Sequence, residues 1–132
     1  MNTSYDIIIV GGGVMGCATA YYLLKSDQTL QIALIEKDPT YAKSSTVLSD
    51  GNVRIQFNIK ENIQMSQYSM EVLASFTDDM AVEDKKPYVS TRQHGNLFLV
   101  DEAGRQKALE GLALQQALGC DVKWLSMADF NK

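Results

Sequence analysis

Tyr5-Asp6-Ile7-Ile8-Ile9-Val10-Gly11-Gly12-Gly13-Val14-Met15-Gly16 carries an apolar run straight into glycine, and Ile32-Ala33-Leu34-Ile35-Glu36 ends a second apolar run on an acid. Short apolar runs bounded by glycine read as buried parallel strands. The stretch from about Val14 to Lys25, lying between them, reads as a crossover helix. Strand, glycine turn, helix, strand and acid, in that order, predict an α/β unit that holds the ADP half of a dinucleotide.

Each part has a separate task. Gly-x-Gly-x-x-Gly maps onto Gly11, Gly13 and Gly16. The first glycine permits the tight turn, the second lets a pyrophosphate lie against bare backbone, and the third lets helix and sheet pack closely. The helix start at Val14 and Met15 turns unpaired N–H groups and a positive dipole end towards phosphate. Glu36 follows Gly16 by about twenty residues, where a carboxylate accepts from ribose hydroxyls and repels a 2′-phosphate, disfavouring NADP. The run lacks the Gly-Lys-Ser/Thr ending of an ATPase loop. Three glycines after a strand can also make a plain turn, but the flanking strands, helix and acid weigh against it. Met15, Cys17, Ala18, Ala20, Tyr21 and Leu24 are expected on the sheet-facing side of the helix, with Cys17 a small buried hydrophobe.

Composition bounds the alternatives. The 132 residues are 45% hydrophobic and 21% charged, the balance of a globular domain with one core. A net charge of −4 argues against nucleic acid or an anionic membrane as partner. Two cysteines, Cys17 and Cys120, show no framework or metal spacing and suit a reducing compartment. Neither a secretory leader nor a run of about 20 apolar residues is present, so a cytoplasmic location is expected.

Past Glu36, Lys37-Asp38-Pro39 closes the second strand and residues 40–46 are polar. Ser44, Ser45 and Thr46 either donate hydroxyls to a phosphate or ribose, or decorate a loop. Ser49-Asp50-Gly51-Asn52 is a turn signal, and residues 53–57 alternate. Asn58 and Glu61 resemble a capping box opening a helix of about Ile59–Phe76, with Ile63, Met70, Leu73 and Phe76 on its apolar face. Thr77–Pro87 reads as a solvated connector. Tyr88–Thr91, Gly95–Val100 and Cys120–Trp124 read as extended segments, the second of them the firmest strand. Gly104–Leu118 reads as a helix closed by Gly119. His94, the single histidine, lies beside a glycine turn and reads as structural; nothing pairs it with a nucleophile or metal ligand, so hydrolase and metalloenzyme readings lack support.

The arrangement resembles the flavin-dependent amine oxidoreductases, the family of D-amino-acid, glycine and sarcosine oxidases and dimethylglycine dehydrogenase. The residues that carry the likeness are Asp6–Gly16, Glu36-Lys37-Asp38, Ser44-Ser45-Thr46, Ser49-Asp50-Gly51 with Arg54, and Gly95-Asn96-Leu97-Phe98-Leu99-Val100. It covers the whole chain but only about the first third of such proteins. The resemblance implies FAD as cofactor, with Gly11, Gly13 and Gly16 lining its pyrophosphate and Glu36 on the adenosine ribose. Lys37 would sit beside the adenine end, Ser44, Ser45 and Thr46 near the pyrophosphate and ribityl chain, and Gly51–Arg54 at the isoalloxazine ring. A cation near that ring stabilises reduced flavin, which makes Arg54 the candidate to influence the chemistry; otherwise it is a surface or salt-bridging arginine. Phe57 stands where some amine oxidases carry a second basic residue for a substrate carboxylate.

The expected organisation is therefore a Rossmann-like FAD-binding βαβ unit within residues 1–80, followed over 81–132 by the start of an α+β substrate domain, incomplete. Ser126-Met127-Ala128-Asp129 opens a helix that the chain does not continue, so the chain is expected to be an amino-terminal fragment, inactive alone and prone to self-association. The leading function is oxidation of an amine or amino acid at the carbon next to nitrogen in the parent protein. An NAD-dependent dehydrogenase and a non-catalytic FAD-containing assembly or interaction protein are the alternatives.

Overall fold

The structure, a computed structural model, describes residues 4–129. Its contacts cluster into two units that part between Asn52 and Val53.

In the first unit, strand β1 (Ile7–Val10) leads through the glycines into helix α1 (Val14–Ser26) and back along strand β2 (Ile32–Ile35). The strands pair in parallel, Ile7 beside Ile32 and Val10 beside Ile35. The second strand has the predicted bounds; the first starts at Ile7 rather than Tyr5, which is exposed. Asp6 ties the strand entrances together: its N–H donates to the Gln31 carbonyl at 2.9 Å, and its carboxylate accepts the Gln31 N–H at 2.8 Å. At the far end of α1, Asp27 Oδ1 accepts both the N–H and the hydroxyl of Thr29 at 2.9 and 2.7 Å, turning the chain towards β2.

Helix α1 does not present the expected face. Ala18, Ala20 and Tyr21 are half-buried, whereas Met15, Cys17 and Leu24 are exposed, Met15 by 77%. Nearly every position of Val14–Leu24 is apolar or small, so hydrophobic spacing does not single out one face. Ser45–Leu48, whose first two residues fall in the polar stretch 40–46, makes a single helical turn, α2, with the Ser44 hydroxyl oxygen accepting the Val47 N–H at 3.3 Å.

In the second unit, helix α3 (Lys60–Asp79) packs on helix α4 (Arg105–Ala117). Ile63 is fully buried; Met70, Leu73 and Phe76 are half-buried on the expected stripe. The capping box does not form: Ile59 is the N-cap, without a side-chain hydrogen bond. The Asn58 amide lies instead where a side chain on Gly111 of α4 would stand, so a tertiary contact takes the residue that local pattern assigned to a cap. Helix α3 also runs three residues past Phe76, into the stretch expected as connector. Gly119 closes α4 as expected, at φ 80°: its N–H donates to the Gln116 carbonyl and the Cys120 N–H to that of Gln115. The segments 53–57, 88–91, 95–100 and 120–124 pair into no strand; Leu97 and Leu99 stand exposed. Alternation marks a face to be covered, but a strand also needs a ladder partner, and among the described residues only β1 and β2 supply one another. Ser126 and Asp129 form a single 3-10 turn over Met127–Asp129, the Asp129 carboxylate accepting the Ser126 N–H and hydroxyl, each at 2.7 Å.

Gln115 is a buried polar residue of this unit, and its amide donates to the Phe57 carbonyl at 2.9 Å. Gln115→Ala strands that carbonyl and is expected to cost about 1–3 kcal/mol, read from urea unfolding. No described helix is long and apolar enough to cross a membrane.

Candidate functional site

The turn from β1 into α1 is built as the glycine spacing requires. Gly11 adopts φ 103°, in the region open to glycine, and its N–H donates to the Ile35 carbonyl at 2.8 Å, which pins the turn to the end of β2. A side chain on Gly16 would run into the Gly11 carbonyl oxygen and crowd Ile9, so helix and strand meet there without room for a methyl. Nothing lies within 4 Å of the place a Gly13 side chain would take. Gly13 is the N-cap of α1, and the first intrahelical bond runs from the Cys17 N–H to the Gly13 carbonyl at 2.9 Å. The N–H groups of Val14, Met15 and Gly16 precede that bond and are left to a ligand or water. This is an open cradle of bare backbone with donors on its floor.

Glu36 closes the same turn. Its Oε2 accepts the Gly12 N–H at 2.7 Å and its Oε1 accepts the Asp38 N–H at 2.8 Å. The Asp38 amide, with the Gly12 amide second, holds the Glu36 carboxyl below the ordinary glutamate range, so it is ionised at neutral pH. A carboxylate offers roughly four lone-pair sites, and the two amides take one on each oxygen, leaving acceptor capacity for ribose hydroxyls. The residue aims at the glycine turn, not away from it.

The loop beyond Glu36 is tied down by its own side chains. Asp38 Oδ1 accepts the Thr40 hydroxyl at 2.6 Å and the Thr40 N–H at 3.0 Å, and Thr40, its hydroxyl first, lowers the Asp38 pKa. Lys37 is exposed beside them. Ser44 is half-buried with its oxygen capping α2, and Ser45 and Thr46 are exposed in the first turn of that helix. Gly51 takes φ 68° in the following turn, its N–H donating to the Ser49 hydroxyl at 3.2 Å. In the second unit the Arg54 guanidinium stacks over Phe57 at 4.8 Å and Phe98 at 5.3 Å from the ring centres, and Gln56 donates to the Asn96 carbonyl at 3.0 Å. Arginine on two aromatic faces is held, not free to wander. His94 is exposed.

Three features escaped the pattern. Gly12 is buried, and a side chain there would meet Leu34, Tyr41 and Glu36 at 3.0–3.2 Å, so the middle glycine is confined where Gly13 beside it is open. Cys17 is not a buried hydrophobe: it is exposed, and its thiol donates to the Gly12 carbonyl at 3.0 Å. Asp38 organises the loop; its spacing to Thr40 was the available signal, the mark of an Asx turn.

A protein-family model described as FAD dependent oxidoreductase matches residues 6–132. Among curated proteins, the chain is 38% identical over 121 residues to FAD-dependent oxidoreductase domain-containing protein 1 of Xenopus laevis, covering 89% of this chain and 24% of that one. It is 56% identical over 128 residues to sarcosine oxidase subunit beta of an Arthrobacter species, covering 93% and 29%. It is 30% identical over 129 residues to the mitochondrial L-2-hydroxyglutarate dehydrogenase of Caenorhabditis elegans, covering 97% and 28%. The chain thus spans about a quarter of the length of the curated relatives it matches. No solved structure matches it.

Proposed function

The chain belongs to the FAD dependent oxidoreductase family, whose cofactor is FAD rather than NAD, and we propose that it is the ADP-holding portion of an enzyme that oxidises an amine or amino acid at the carbon next to nitrogen. The observation that carries this reading is the bare backbone cradle at Gly13, flanked by helix N–H groups and the ionised Glu36. Those residues fit the cofactor: Gly11, Gly13, Val14, Met15 and Gly16 for the pyrophosphate, and Glu36 for the ribose. Lys37, Ser44, Ser45, Thr46 and Gly51 extend the binding surface along the dinucleotide. Bound FAD supplies a two-electron acceptor for a substrate C–H bond. Arg54, held on Phe57 and Phe98, is the basic residue that the family resemblance assigns to the flavin ring, where a positive charge would favour the reduced form.

Residues 1–80 belong, in this proposal, to the FAD-binding domain and 81–132 to the start of the substrate domain, in a cytoplasmic protein. The amine assignment draws on the likeness to sarcosine oxidase subunit beta, and the test must separate it from the hydroxy-acid chemistry that the other relative's name carries. Flavin absorbance of the full-length parent, bleached anaerobically with sarcosine, dimethylglycine, proline or a D-amino acid, supports the amine reading. Bleaching by L-2-hydroxyglutarate alone moves it to 2-hydroxy acids, and a flavin that resists every substrate makes the parent a non-catalytic flavoprotein.

For the 132-residue chain by itself, weak FAD retention and no turnover are expected. The sheet face turned from α1 presents Ile8, Val10 and Ile35 at 59, 84 and 54% exposure. Parallel sheets are ordinarily covered on both faces, so the isolated chain is expected to self-associate. A monodisperse monomer in size exclusion, or amine oxidation by this chain, contradicts that expectation.

A further inference from the structure

Tyr41 stands at φ 57°, in the left-handed region, where a bulky aromatic is an outlier. Such a conformation costs free energy and persists where the surroundings over-determine it. Here they do. The Tyr41 N–H donates to the Asp38 carbonyl at 3.0 Å, and the Tyr41 carbonyl accepts the Ser44 N–H at 2.9 Å. Asp38 is held in turn by Thr40 on one side and Glu36 on the other. A chain of hydrogen bonds therefore runs from the Glu36 carboxylate through Asp38 and Tyr41 to the cap of α2.

This constraint delivers a phenol to the glycine turn. The Tyr41 hydroxyl lies 3.0 Å from the point where a Gly12 side chain would begin, and the Glu36 Cβ lies 3.2 Å from the same point. The phenol and Leu34 Cδ2, also at 3.0 Å, together fill the volume that glycine vacates at position 12. The phenol backs the peptide whose N–H holds Glu36 Oε2 at 2.7 Å. Glu36 is fastened at both oxygens, and Tyr41 bears on the Gly12 side of that arrangement.

We propose that Tyr41 is a positioning residue for the adenosine ribose of the bound dinucleotide, its phenol fixing Gly12 and Glu36 so that the free lone pairs of the carboxylate meet the ribose hydroxyls. The inference rests on the reading of this turn as a dinucleotide site and adds to it the residue that sets sugar recognition. A left-handed tyrosine held by two backbone hydrogen bonds, to Asp38 and from Ser44, sets its hydroxyl against the glycine that donates to the ribose-binding acid.

The experiment is an amide-resolved NMR titration of the 132-residue chain with ADP, 2′-deoxy-ADP and inorganic pyrophosphate, which reads weak binding at Gly12, Gly13 and Val14. The native chain is expected to prefer ADP to 2′-deoxy-ADP by about tenfold or more, the worth of one hydrogen bond to a charged acceptor. In Tyr41→Phe that preference falls towards unity while pyrophosphate binds as before. Tyr41→Asn, which suits the left-handed backbone, is expected to lose the same preference and guards against a folding defect in the first variant. An unchanged preference in both folded variants overturns the proposal, as does an equal weakening of all three ligands, which is the mark of a merely structural role. If the native chain binds pyrophosphate and neither nucleotide, or none of the three, the dinucleotide reading itself fails and the inference with it.

Discussion

Gly16→Ala is expected to destabilise the β1-α1-β2 unit by about 1–3 kcal/mol, the ordinary cost of forcing a methyl into a filled space. The obstacle is the Gly11 carbonyl oxygen, with the Gly11 carbonyl carbon at 3.1 Å and Ile9 Cγ2 at 3.3 Å behind it. Neither is the loose end of a side chain. Gly11 is pinned through its N–H to Ile35, and Ile9 lies within the ladder, so α1 must lift from β1 to make room. Gly13→Ala makes the instructive contrast. Its side-chain position is open and its φ of −67° suits alanine, so stability should change by no more than about 1 kcal/mol, the penalty for alanine at an N-cap. Nucleotide binding is another matter, because the new methyl stands in the space kept for pyrophosphate. Urea unfolding followed by circular dichroism, paired with ADP titration, separates the two. The pair of predictions fails if Gly16→Ala is as stable as the native chain, or if Gly13→Ala binds ADP undiminished.

That contrast shows where sequence pattern reaches and where it stops. The spacing of Gly11, Gly13 and Gly16 conveys three different constraints, and the structure gives each glycine the steric setting that its place in the motif calls for: a positive φ, an open cradle and a close contact. The second strand and the helix were legible because strand and turn chemistry are local. The face of α1 was not, since a helix apolar all round carries no period to read. The expected strands of the second half were not realised for a different reason. Alternation at Cys120–Trp124 or a run such as Leu97–Val100 states what a segment would bury, while the ladder that makes it a strand depends on a partner elsewhere. Asn58 matched a cap by position and was taken by Gly111 across the helix interface. Tyr41 lay beyond reach altogether, because nothing in a sequence marks a tyrosine for a left-handed backbone; only the hydrogen bonds of Asp38 and Ser44 impose it.

Glu36→Gln is expected to lower ADP affinity by about tenfold or more, since hydrogen bonds to a charged acceptor are the stronger kind. The substitution does more than remove a charge. The two N–H groups approach different oxygens, so in this geometry an amide oxygen serves only one of Gly12 and Asp38, and the NH2 group would face the other donor. The same geometry sets a pH dependence. The Asp38 and Gly12 amides lower the Glu36 carboxyl, so its contribution to loop order is complete above the unfolded glutamate value and is lost as pH falls through the lower, folded one. Asp38, lowered by Thr40, titrates in the same acidic direction, so the loop from Glu36 to Tyr41 should open as one piece on acidification. Amide exchange at Gly12 and Asp38, followed downward from neutral pH, should show protection lost below the ordinary carboxylate range in the native chain. In Glu36→Gln one of the two amides, Gly12 or Asp38, should already exchange freely at neutral pH, and the Gly12 amide should show no step from residue 36 on acidification. A step of equal size in both would mean that Glu36 does not latch the turn, and the ribose would then have to find its acceptor elsewhere.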